Sequence, residues 1–300
     1  MAPKKTKASE RFGVIALRSR LATLRSAHGW STGTRALAAS SKRIQRGGYC
    51  AHQEALVHDL AVLDDAQAVA HHAAAWLLGR LGVDTQEALA VCLSGGTTPR
   101  ILFETLARPP YLESMPWHRI HWFWCDERFV PSSDPRSNYG TTQKLLFART
   151  PVPRENIHPI STTHATPEAA AAAHEEELKR FYGAGTLAAG RPLFDAAFLG
   201  VGADGHTASL FPGSPVLQER GKWVAAVQGL QSEARITLTY PVLESSREIA
   251  FLVSGAGKRA VMEKIFLGDA DAPATRLRPA GRLQWFVDRA AAPVAARAAK

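Results

Sequence analysis

The chain has 300 residues, 46% of them apolar and 21% charged, which excludes a disordered or fibrous polypeptide. Its formal charge of +9 is local: residues 1–48 hold eleven Lys/Arg against Glu10 alone, leaving 25 basic and 26 acidic side chains in the other 252. A nucleic-acid-binding body, which needs basic charge spread over a folded face, is therefore disfavoured. No apolar run approaches the roughly 20 residues of a membrane span.

Residues 1–48 read as a basic N-terminal extension outside the fold. Val14, Ile15, Leu17, Leu21 and Leu24 interleave with Arg18, Arg20 and Arg25 in a weakly helical pattern. Such a segment fits an unstructured extension, an organelle transit peptide, or a basic arm. From Tyr49 onward strands and helices alternate, with no internal repeat or low-complexity linker, so residues 49–300 are expected to form one domain. Asp64-Asp65 can cap a helix running to Leu81, with Val69, Ala73, Trp76 and Leu77 on one face. Ala88–Leu93 predicts a buried strand ending in Ser94-Gly95-Gly96-Thr97-Thr98-Pro99, and a helix through Leu106 follows. Ile120–Cys125 is a second buried run and ends in Asp126-Glu127-Arg128; Ser137-Asn138 then opens a helix through Leu146. Pro167 and Tyr182 bracket an Ala/Glu-rich helix. Phe194–Leu199 predicts a strand leading into Gly200-Val201-Gly202-Ala203-Asp204-Gly205-His206. Arg235–Thr239, Ile249–Val253 and Leu283–Phe286 are further strands, and the second of these enters Gly255-Ala256-Gly257-Lys258 and a helix to Phe266. Continuous apolar strands alternating with amphipathic helices predict a parallel sheet covered on both faces, with ligands at the strand C-terminal ends.

Several of these turns can carry chemistry. Ser94–Pro99 joins a strand to a helix with small residues, hydroxyls and no acid, which makes an anion cradle or an ordinary turn. It lacks the Lys of a nucleoside-triphosphate loop. Gly200-x-Gly202-x-x-Gly205 formally matches the dinucleotide fingerprint, but Pro212 and Pro215 break any following helix, so NAD is rejected. What remains there is a carboxylate, Asp204, and an imidazole, His206, at a sharp turn, where a histidine can act as general base near neutral pH. Arg235 and Lys258 together could neutralise a phosphate dianion. No Gly-x-Ser-x-Gly elbow is present, and His174-Glu175 lacks a histidine at 178, so serine-hydrolase and metalloprotease arrangements are excluded. Cys50, Cys92 and Cys125 form neither a disulfide framework nor a zinc half-site; the latter two lie in apolar runs, which suggests buried thiols in a reducing compartment, hence the cytoplasm.

These blocks, in this order, resemble the 6-phosphogluconolactonase family over roughly residues 54–291. The resemblance rests on Leu93–Pro99, on Asp126–Pro131 with Ser137–Gly140, on the long run Leu199–Gly213, on Arg235–Thr239 and Gly255–Lys258, and on Trp285–Asp288. It implies a three-layer αβα sandwich on a mostly parallel, modified Rossmann-like sheet. It also implies hydrolysis of 6-phospho-D-glucono-1,5-lactone without metal or cofactor, by a monomer or small homo-oligomer whose partner is the phosphosugar lactone. Mapped onto this chain, Ser94, Gly95, Gly96, Thr97 and Thr98 with Arg235 and Lys258 would hold the phosphate. His206 would deprotonate water, Asp204 would help place the imidazole or the sugar hydroxyls, and Asp126, Arg128 and Asn138 would line the sugar pocket. Thr97 stands where serine is commoner and Ala203 where proline is frequent; neither touches these roles. Two rivals follow from the same resemblance. Amino-sugar deaminases on this fold carry Asn-Glu-Pro shortly after the Gly-His pair, whereas Phe211-Pro212 stands here. A sugar-phosphate-sensing regulator would lose its catalytic groups and keep a helix-turn-helix, which the first 48 residues do not suggest.

Overall fold

The computed structural model describes residues 59–297 apart from 83, 85, 230, 231 and 270. The basic extension at 1–48, the start of the expected domain at Tyr49, and Cys50 lie outside the described residues. In chain order the strands are β1 (Leu60–Leu63), β2 (Leu89–Leu93), β3 (Ile120–Trp124), β4 (Asp126–Arg128), β5 (Ala196–Leu199), β6 (Val224–Val227), β7 (Arg235–Leu238), β8 (Glu248–Val253) and β9 (Arg282–Asp288). The helices are α1 (Ala66–Leu81), α2 (Thr97–Leu106), α3 (Tyr111–Ser114), α4 (Asn138–Leu145), α5 (Pro167–Tyr182), α6 (Tyr240–Glu244), α7 (Arg259–Phe266) and α8 (Val294–Arg297).

Six strands form a parallel sheet in the order β1-β9-β8-β5-β2-β3. Its strands are continuous apolar runs because both faces are covered. Trp285 and Phe286 are neighbours on β9 and so point to opposite faces. Phe286 meets Trp76 of α1, which also touches Phe198 of β5, whereas Trp285 stacks on Phe251 at 4.1 Å and meets Phe266 of α7. The expected three layers follow from these contacts. Helix α1 begins where the sequence suggests, with Asp65 accepting from the Ala68 N–H at 2.8 Å, and it buries Val69, Ala73 and Leu77 completely. Helix α5 begins at Thr166-Pro167 and stops at Gly183, whose φ of 74° only glycine adopts without strain.

A second sheet corrects the sequence-based picture. The chain leaves β3 at Cys125, whose N–H donates to Leu93 and whose carbonyl accepts from Leu238, and it re-enters sheet structure at once as β4. Strands β4, β7 and β6 are antiparallel, so Arg235 opens a strand of this small sheet instead of extending the parallel one. The reason is local: a three-residue polar strand, Asp-Glu-Arg, has no periodicity to read. Arg128 and Arg235 are thereby set directly opposite each other. Cys92 and Cys125 are fully buried, as expected. Among the described residues no helix is long and apolar enough to cross a membrane.

Helix α5 is tied to the edge of the parallel sheet by side chains. His158, whose N–H donates to the Trp122 carbonyl, places Nδ1 2.9 Å from Glu177 of α5, and His174 Nδ1 lies 3.6 Å from the same carboxylate. Burial raises the Glu177 pKa, but the hydrogen bond with His158 and the neighbouring His174 imidazole outweigh that effect and bring it down to about 2 from its ordinary 4.5. A carboxylate held low in the folded state contributes stability above its unfolded value and loses it as pH falls. Glu177→Gln is therefore expected to flatten the fall in thermal stability between pH 4.5 and about 2, as followed by circular dichroism.

Candidate active site

The turns after β2, β5 and β8 meet at the C-terminal edge of the parallel sheet, where strand order reverses. The cleft there has about 170 Å³ of free space and is lined by Ser94–Pro99, Asp126, Arg128, Asn138, Gly200–Gly202, His206, Ala208, Arg235, Leu252–Ser254 and Lys258. That is below the roughly 300–1,000 Å³ of drug-sized sites, a size that suits a small polar ligand. Every residue singled out in the sequence is brought together here. Asp204 alone stands outside the lining, and it touches His206 directly.

The turn after β5 is built around the imidazole. The Gly202 N–H donates to the His206 carbonyl at 2.8 Å and the Gly205 N–H donates to Gly202, closing a tight loop with Gly205 at φ 86°. Asp204 Oδ1 lies 2.6 Å from His206 Nδ1 and also accepts the His206 backbone N–H at 3.2 Å. This orientation leaves Nε2 as the ring's free nitrogen. Burial works against the Asp204 carboxylate, but the His206 N–H and the imidazole outweigh it and hold the pKa below its ordinary value. Gly202 is obligatory for a steric reason: a Cβ there would sit 2.0 Å from His206 Nδ1. No α-helix opens at this turn; the next helical element is a short 3-10 turn at Pro215–Gln218.

The turn after β2 opens α2. Gly96, at φ 113°, lets the chain enter the helix. Gly95 is packed against Asn138, and a Cβ there would lie 1.8 Å from Asn138 Oδ1. Thr98 Oγ1 shares a 2.6 Å hydrogen bond with Ser254 Oγ, linking the β2 and β8 turns. Ser94 Oγ is buried with no partner among the described residues, as are Nε of Arg128 and Nε of Arg235. Unsatisfied buried donors are costly, so this cluster is a place for a polar ligand. Burial holds the Lys258 pKa below its usual value, opposed by Asp204. Burial, then repulsion from Arg128, does the same at Arg235. Cations gathered at one cleft in this way favour an anion.

Asp126 and Asn138 carry structural duties as well as lining the cleft. Asp126 accepts from Ser209 Oγ at 2.7 Å and from Asn138 Nδ2 at 3.2 Å, while Asn138 Nδ2 also donates to the Asp126 carbonyl at 2.9 Å. Sequence reasoning missed the residues that hold these groups. Glu127 accepts from the N–H groups of Arg128, Asn138 and Tyr139 and from Ser137 Oγ, so it organises the start of α4. Its place between two chosen residues, in Asp-Glu-Arg, was the available signal. Ser209 and Ser254 were equally silent, and Phe211 entered only as the residue that stands in place of the deaminase motif. The Phe211 ring lies 4.5 Å from the His206 ring and 5.7 Å from the Arg235 guanidinium, a shared wall between imidazole and cation.

A family model described as glucosamine-6-phosphate isomerases/6-phosphogluconolactonase matches residues 64–285. The chain belongs to this family. A 6-phosphogluconolactonase of Synechocystis is 40% identical over 205 residues, 67% of this chain and 82% of its own. One from Haemophilus influenzae is 38% identical over 67% of this chain and 85% of its own. Among solved structures, a 6-phosphogluconolactonase from Thermotoga maritima superposes with a TM-score of 0.65 at 29% identity, covering 77% of this chain and 99% of that one. Because the family spans isomerases and lactonases, membership leaves the choice of reaction to the site.

The steric role of Gly202 is open to test. Gly202→Ala is expected to drive the imidazole off Asp204, seen as loss of the hydrogen-bonded Nδ1 signal in ¹⁵N spectra. The displaced atoms end a side chain, so the melting temperature should move by no more than about 4 °C.

Proposed function

We propose that the protein hydrolyses 6-phospho-D-glucono-1,5-lactone to 6-phospho-D-gluconate. One observation carries the reading: an aspartate-tethered imidazole with a free Nε2 lines the same small cleft as an acid-free turn, Arg235 and Lys258. Phe211, whose ring lies 4.5 Å from that imidazole, stands where the deaminases carry their glutamate motif, which favours hydrolysis over amino-sugar ring opening.

In this mechanism the cradle residues Ser94–Thr98, Arg235 and Lys258 bind the 6-phosphate, which fixes C1 against His206. Remote binding energy is thus used to orient the reacting carbon. His206 Nε2 takes a proton as water oxygen bonds to C1. Asp204, half-exposed and 2.6 Å from Nδ1, stabilises the resulting imidazolium as the carboxylate at Nδ1 does in acyl-transfer sites. The carbonyl oxygen becomes an oxyanion near Arg128; as it collapses the C1–O5 bond breaks, O5 takes back the proton from His206, and the carboxylic acid formed at C1 releases its remaining proton to solvent. A general base of this kind contributes about 10²–10⁴-fold. No step calls for a metal or cofactor. The buried thiols Cys92 and Cys125 suit a reducing compartment, and we assign the enzyme to the cytoplasm.

Loss of the lactone should be followed above its spontaneous hydrolysis. His206→Ala is expected to lower kcat by about 10²–10⁴-fold while inorganic phosphate still binds. Glucosamine 6-phosphate should release no ammonia. Wild-type rates equal to the spontaneous rate, or ammonia release, would overturn the assignment.

A further inference from the structure

We propose that Glu233 is a positioning residue of the phosphate subsite: it grips Nη2 of the Arg235 guanidinium and so fixes the direction in which the remaining N–H donors meet the incoming dianion. The inference deepens the functional reading above and rests on Arg235 being a phosphate ligand.

Cross-strand pairing of β4 with β7 puts Arg128 opposite Arg235. Two neighbouring guanidiniums repel, and each is free to swing unless something holds it. Glu233, two residues before the cleft-lining arginine, supplies the hold. Its Oε1 accepts from Arg235 Nη2 at 3.1 Å and its Oε2 from Arg136 Nη1 at 3.3 Å, with Ser232 Oγ donating to the same oxygen. The carboxylate also feels Arg128, while Arg136 has a second carboxylate partner in Asp134 at 2.8 Å. Its side chain is only 11% exposed, and it does not line the cleft. The next residue, Ala234, accepts the Phe129 N–H at 2.8 Å, which fixes Glu233 to the strand pair and not to a free loop.

A guanidinium is a rigid plane of five donors, so fixing Nη2 fixes where Nε points. Arg235 Nε is buried and has no partner among the described residues, while the Phe211 ring limits tilting of the plane. Charge alone argues against a carboxylate here, because it repels the dianion that the site has to bind. The benefit must therefore lie in orientation. That separates the two conservative variants: Glu233→Gln keeps an acceptor for Nη2 and removes the repulsion, whereas Glu233→Ala removes both.

The test is calorimetric binding of inorganic phosphate to wild type, E233A, E233Q and R235A, together with steady-state lactone hydrolysis. E233A is expected to weaken phosphate binding and raise KM by about tenfold or more, on the scale of a charge-assisted hydrogen bond, with kcat changed less than about twofold. E233Q should bind phosphate at least as tightly as wild type. Unchanged binding in E233A, or equal weakening in both variants, would overturn the positioning role while R235A still reports a working subsite. Phosphate binding that R235A does not affect would instead remove the subsite, and the proposal with it.

Discussion

Four segments of the site converge on one buried carboxylate. Asp126 is the first residue after the chain passes from the parallel to the antiparallel sheet. Its side chain receives Ser209 from the turn carrying His206 and Asn138 from the start of α4. Its strand register places it opposite Thr237, whose hydroxyl in turn accepts the Ser209 N–H at 3.2 Å. Asn138, held by Asp126, packs its amide oxygen on Gly95 and so fixes the anion turn. A carboxylate withdrawn from water is tolerated only when its oxygens are satisfied. Here that requirement sets the relative positions of the imidazole turn, the anion turn and the strand that carries Arg235.

The division between two sheets gives the site its chemistry. The parallel sheet delivers glycine-rich turns and backbone N–H groups at its C-terminal rim, while the antiparallel sheet delivers two arginines facing each other at its edge. Neither sheet could build the arrangement alone. Phe211 spans the boundary, touching His206 and Arg235 together, and it sets the separation of base and cation with an apolar surface that resists compression.

Much of this was legible in the sequence, and the reason differs by residue. The Asp65 cap, the apolar strands β2, β3 and β8, and the turns after them are local signals, fixed by side chains within a few positions of one another. His206 with Asp204 is also local, two residues apart on a glycine-framed turn. What escaped notice depends on distant partners. Ser209 meets Asp126 across 83 positions and Thr98 meets Ser254 across 156, separations at which spacing carries no information. Strand β4 is three polar residues and pairs with β7 more than a hundred positions away, so the second sheet and the face-to-face arginines emerged only from the fold.

The central claim is that one small ring is held by its phosphate at the cation turn while its C1 end reaches the imidazole. The most direct measurement is a crystal structure with the product, 6-phospho-D-gluconate, bound. The account predicts phosphate oxygens on the Gly96–Thr98 turn, Arg235 and Lys258. It also predicts the new carboxylate within about 2.6–3.2 Å of His206 Nε2. A product lying with its carboxylate on Arg235 and its phosphate at His206, or bound outside the cleft, would contradict it.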